Sequence, residues 1–211
     1  WSGNWRGVEV AGYSRDEEIR RRINAFLEGV FQLPSDDYYA RLNLNGLLGL
    51  KSALSDINNA LTLRLTLRFL DWLEQVLAFG PEESKRLRMS VLEAKPSANG
   101  YDVLCSIPRP LVAEVKCNVP VNRGTKYGAA QRNGILADID ALLTGKSKAP
   151  PLAPDALKFM VFMDLPEVRA ANEHLLKSAC MKSRSCRILV DGDVRNDPSV
   201  VYGVHVGLGN A

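Results

Sequence analysis

Histidine and cysteine are scarce in this chain. It has 2 His and 4 Cys in 211 residues, with no C-x-x-C pair. Zinc frameworks space such ligands in short pairs, and the set Cys180, Cys186, His174 and His205 has no such spacing. The cysteines are also too few to staple a scaffold, and they fit reduced thiols in a cytoplasmic protein. Charge of one sign is scarce too. A net charge of +3 does not by itself mark a nucleic-acid binder, so the distribution of charge must carry that argument. No apolar run approaches transmembrane length and no signal peptide is evident, so no membrane partner is expected. Gly-rich phosphate loops, internal repeats and a supported Ser/His/Asp arrangement are missing as well. The chain opens on Trp1, as an excised or processed domain would.

What is present suffices for a sizeable core. Hydrophobic residues make up 46% of the chain, enough for one large domain or a domain with an appendage. Ser14-Arg15-Asp16-Glu17 reads as a capping box that opens a helix through about Glu28. A short helix is expected after Pro34, another over Gly46 to Leu54, and a long one from Leu61 to Phe79. Strands are expected at Arg88–Glu93, Tyr101–Ile107 and Leu111–Cys117. A helix from about Lys126 to Leu143 and a Pro/Lys-rich loop, Lys146 to Pro154, come next. Then follow a buried strand (Leu157–Met163), a helix (Glu167–Ser178) and strands at Arg187–Val190 and Val200–Val206. The expected division is a helical portion, 1–58, and an α/β core, 59–211.

One strand carries chemistry. In Leu111-Val112-Ala113-Glu114-Val115-Lys116, an acid and a lysine stand two residues apart in an apolar run. Residues i and i+2 of a strand share a face, so Glu114 and Lys116 project together while Leu111, Ala113 and Val115 pack opposite. Pro108-Arg109-Pro110 cannot continue a central strand and marks a hairpin. If Ile107 pairs with Leu111, Leu104 faces Glu114 and Asp102 faces Lys116. A register shifted by two keeps the three polar residues on one face, and a shift by one breaks them apart. Two carboxylates and an ammonium at a sheet face can hold a divalent ion and a water beside a phosphodiester. Glu83-Ser84-Lys85 and Glu93-Ala94-Lys95 repeat the Glu-x-Lys spacing, but the first lies in a charged stretch and the second runs into a turn.

The order of elements around this strand resembles the PD-(D/E)XK nuclease superfamily over roughly Leu61 to Val206. The matching motif is Asp102 on one strand with Glu114 and Lys116 on the next; Tyr101 stands where the family often has proline. The resemblance implies a restriction-endonuclease-like α/β fold, a mixed central sheet flanked by helices, here behind a helical N-terminal portion. It implies a Mg²⁺-dependent endonuclease, with Mn²⁺ able to substitute, acting on double-stranded DNA in a restriction or phage-defence role. Asp102, Glu114 and the Val115 carbonyl would hold the ion, and Lys116 would act on the water and the phosphate.

The family's first helix often adds an acid, and Glu74 lies in the apolar stripe Leu63, Leu67, Leu70, Leu77. It is either that ligand or an exposed residue where the stripe drifts; Glu93 competes with it. Gln131, early in the helix after the motif, is either near the attacking water or plainly exposed. Arg123 and Lys126 in the loop after Lys116, with Lys182, Arg184 and Arg187 further on, offer cations to DNA phosphates. A homodimer is compatible with this pattern. The rival reading is a catalytically inactive nuclease-fold domain that binds nucleic acid or a protein partner.

Overall fold

The computed structural model describes residues 13–95, 100–106, 109–121, 124–178, 181, 185–188 and 197–209. The chain divides into two compact units, the first ending at Ser55 and the second starting at Asp56. The expected boundary fell at 58/59.

The first unit is helical. α1 (Arg15–Phe31) begins at Ser14, whose Oγ accepts from the Glu17 N–H at 3.4 Å. Asp16, Glu17 and Glu18 fill its first turn, where the helix dipole favours acids. A 3-10 turn, Tyr39–Arg41, stands where a short helix was expected after Pro34. Asn24 anchors it by accepting from the Tyr39 N–H at 2.9 Å. The chain then enters α2 (Leu44–Leu77), one helix of 34 residues in place of the two expected. Between Leu50 and Phe79 no Gly or Pro interrupts it. The leucines at 61, 63, 65 and 67 alternate like a strand, but burial follows the helical steps Leu65, Phe69, Leu70 and Leu73.

The expected strand at Arg88–Glu93 is corrected to a helix, α3 (Pro81–Glu93). Pro81 pre-sets the first turn, and the Glu83 side chain returns to accept from the Gly80 N–H at 2.8 Å. Leu87 and Val91, one turn apart, are its buried side, while Met89 and Leu92 are exposed. A run of apolar letters there was a helix seen from both sides.

The strands are β1 (Val103–Cys105), β2 (Leu111–Lys116), β3 (Leu157–Met163), β4 (Cys186–Ile188) and β5 (Val201–Val206). They form one mixed sheet in the order β1-β2-β3-β5-β4. β1 and β2 are antiparallel; β2–β3, β3–β5 and β4–β5 are parallel. The parallel joins need crossovers, supplied by α4 (Ala129–Thr144) between β2 and β3 and by α5 (Pro166–Leu176) after β3. The fold is therefore mixed α/β, a five-stranded sheet with helices on both faces. On one face, Leu111, Ala113 and Val115 pack with Phe159 and Tyr202 against Leu65, Phe69 and Leu73 of α2 and Leu87 of α3. On the other, Val112, Met160 and Phe162 meet Ile135, Ile139 and Leu142 of α4 and Val168 of α5. β3 is buried at all seven positions, as a central parallel strand requires.

A polar chain crosses the second face. The Tyr127 hydroxyl donates to Asn172 Oδ1 at 2.9 Å, which turns the Asn172 amide nitrogen onto His205 Nε2 at 3.0 Å. Nε2 must accept there, so the ring is held neutral. Burial, with Arg169 repulsion second, holds His205 below its ordinary 6.5. The unfolded chain binds more protons just below that value, so this stability is full above pH 6.5 and is lost as pH falls. Thermal melts should drop from about pH 7.5 to about pH 5.5 more steeply in wild type than in His205→Gln. Parallel slopes would remove His205 as the cause.

Candidate active site

The motif strand and its neighbour meet two residues away from the expected register. Val103 pairs with Ala113, Leu104 with Val112 and Cys105 with Leu111. Continued by one residue, this sets Asp102 opposite Glu114 rather than Lys116. The even shift preserves the face, and Asp102, Glu114 and Lys116 come together at one end of β2.

Each side chain there has a definite partner. The β1 ladder stops at Val103, and the Asp102 carboxylate replaces it, accepting from the Val115 N–H at 2.7 Å. Desolvation at that contact raises the Asp102 pKa above the usual carboxylate value; the Val115 N–H opposes the shift. The residue as a whole stays exposed to solvent. It lines a cleft of about 270 Å³ with Thr62, Thr66, Leu92 and Lys95.

Glu114 is only 5% exposed. Lys146 Nζ lies 2.5 Å from its Oε1. Burial pushes Glu114 up to about 7, with Lys146 pulling it down and Asp102 pushing further up. Two neighbouring carboxylates, one of them buried, thus repel each other at the end of the strand. Lys116, half-buried on the same face, is ion-paired with Asp138 of α4.

From sequence, Asp138 has no role and Lys146 belongs, with Lys148, to a basic cluster in the Pro/Lys-rich loop. Asp138 carried a legible signal: it stands between Ile135 and Leu142 at steps of three and four, an acid within α4's buried stripe. Lys146 carried none, because its partner lies 32 residues away (146 − 114).

The other expected residues fall elsewhere. Glu74 is held by Arg88 of α3 at 3.2 Å, a guanidinium it shares with Asp71 at 2.6 Å. Among the described residues no three His, Cys, Asp or Glu side chains come together as a metal-holding group. Glu74 thus has a guanidinium partner on the next helix, and Glu93, the competing acid, ends α3 exposed. Gln131 braces the loop after β2. Its Oε1 accepts from the Gly128 N–H at 3.2 Å and its Nε2 donates to the Val119 carbonyl at 2.8 Å. Both ends of its amide are engaged by backbone, as in the capping box that opens α4. Lys126 is exposed. Arg187 lies with its guanidinium 4.9 Å over the Tyr202 ring, a stacking partner within the sheet. Arg123, Lys182 and Arg184 lie outside the described residues. No helix among the described residues is long and apolar enough to cross a membrane.

No family model, curated protein or solved structure matches this chain.

Proposed function

We propose that this chain is a metal-dependent nuclease of the PD-(D/E)XK type that hydrolyses phosphodiesters in DNA. The observation that supports it most is the convergence of Asp102, Glu114 and Lys116 at one end of β2, with Asp102 itself lining a cleft. The mixed sheet, with a helix and then a parallel strand following the motif strand, agrees with that reading. Two facing carboxylates fit Mg²⁺ or Mn²⁺, since Mg²⁺ is commonly held by one or two carboxylates and keeps several waters. Asp102 and Glu114 would hold the ion, with the Val115 carbonyl completing the protein's share. When bound, the ion supplies charge neutralisation and an acidified water. Lys116 orients the attacking water and stabilises charge on the phosphate. Lys126 offers a phosphate contact from the loop between β2 and α4. A restriction or phage-defence role in the cytoplasm follows by resemblance alone.

A second reading has its own support. Glu114 is already paired with Lys146 and Lys116 with Asp138, as in an inactive nuclease fold that binds nucleic acid or protein. Calorimetric titration with Mn²⁺ separates the two. Wild type should bind, and Asp102→Ala should bind at least ~10-fold more weakly, as the loss of a ligand should cost no less than loss of a residue behind one. Removing the metal with a chelator should stop DNA cleavage. Equal binding by the two proteins would remove the metal site. Binding without cleavage of any nucleic acid would favour the inactive fold.

A further inference from the structure

Lys146 sits where no local pattern would place it. α4 ends at Thr144, and Gly145 follows with φ +92°, its N–H bonded to the Ala141 carbonyl at 2.9 Å. That positive φ favours glycine. The Lys146 N–H then donates to the Tyr101 hydroxyl at 3.1 Å, beside Asp102. Its ammonium lies 5.0 Å from the Tyr101 ring centre and donates to the Gly100 carbonyl at 2.8 Å. The same ammonium is 2.5 Å from Glu114 Oε1. The backbone of Lys146 is thus fixed on Tyr101, and its side chain reaches the buried carboxylate of the motif.

We propose that Lys146 is the site's built-in counter-cation, which occupies Glu114 and is displaced when a divalent ion binds there. This rests on the reading of Asp102 and Glu114 as metal ligands. A buried carboxylate needs a partner, and without metal Lys146 supplies it. An ammonium and a divalent ion on one carboxylate repel each other, so they compete for Glu114. The charges balance with the exchange. Asp102, Glu114 and Asp138 against Lys116 and Lys146 leave one negative charge. A divalent ion and one phosphodiester then bring the group to zero. The displaced ammonium is left at the rim of the site, close to an incoming phosphate. The site therefore stays protected until metal arrives, and its metal affinity is set below what the two carboxylates alone would give.

The test is Mn²⁺ titration calorimetry on the full chain, wild type beside Lys146→Met, Lys146→Gln and Lys148→Met. Lys146→Gln keeps a hydrogen-bond donor for Glu114 and Gly100, so a Lys146→Met protein too unstable to titrate does not decide the result. Both Lys146 variants should bind Mn²⁺ about 10-fold more tightly, toward the lower end of the usual range for coupled sites. Their melting temperatures should lie below wild type without metal and close on it with saturating Mn²⁺. Lys148, exposed two residues on, controls for general loss of positive charge, and its variant should bind as wild type does. Wild-type binding with no gain in either Lys146 variant would overturn the proposal alone. An equal gain in Lys148→Met would do the same. No binding by any of the four proteins would overturn the metal reading, and the proposal with it.

Discussion

Lys116→Met should leave a folded protein that still binds DNA and cuts it ~100-fold more slowly or worse, the loss seen when one preorganised electrostatic group is removed from an active site. The geometry separates this outcome from a structural one. Lys116 is paired with Asp138, and both side chains keep about a quarter of their surface in solvent. Asp138 can therefore stay hydrated when its partner goes, so the melting temperature should move little. Glu114, the buried acid, has its own partner in Lys146 and is not orphaned by the change. If the Lys116–Asp138 pair served only to join β2 to α4, the variant would lose stability and no activity. Melting temperature and single-turnover cleavage, measured on the same preparation, decide between the two. Cleavage at the wild-type rate would end the assignment of this motif as a nuclease centre.

The residues of the motif were legible because charges inside an apolar strand are expensive and so stand out. Glu114 and Lys116 share a face through period-two geometry alone, and that holds whatever the neighbours do. The register was not legible to the same degree. The Pro108-Arg109-Pro110 turn predicts Ile107 opposite Leu111, whereas β1 ends at Cys105 and pairs there with Leu111. The hairpin connection is thus longer than Pro108-Arg109-Pro110, and proline content does not say how long. Because the shift is even, Asp102, Glu114 and Lys116 still share one face. The helix α3 was missed for a different reason. Met89-Ser90-Val91-Leu92 is short enough for strand and helix readings to coincide, and the cap that decides it, Glu83 on Gly80, lies well upstream. Glu74 and Asp138 make an instructive pair. Both are acids set in apolar stripes, yet Glu74 answers to Arg88 on the next helix and Asp138 to the motif lysine. The stripe argument says that an acid needs a partner. Only tertiary structure says which.

The core that holds β2 in place should fail most at Phe159. This residue is fully buried in the middle of β3, with Ala113 of β2 on one side and Tyr202 of β5 on the other. Its ring lies 5.4 Å from Phe69, 5.9 Å from Trp72 and 5.9 Å from Tyr202, so it joins α2 to the sheet as well as joining strand to strand. Phe159→Ala removes the centre of that cluster and leaves a cavity among groups fixed by sheet and helix backbones. The cost should be about 3–5 kcal/mol, a fall of roughly 6–20 °C in melting temperature for a unit of this size. Phe26 on α1 gives the control. It is 47% exposed and makes one edge contact, with Phe31 at 5.9 Å. Phe26→Ala should cost no more than about 0.5 kcal/mol. Denaturant melts of both variants, with unchanged slopes, measure the difference. Below the unfolding transition, Phe159→Ala should still bind Mn²⁺ with near wild-type affinity, because Glu114 and Lys116 project from the opposite face of β2. An equal loss of stability in the two variants would mean that the aromatic cluster is not the centre of the core.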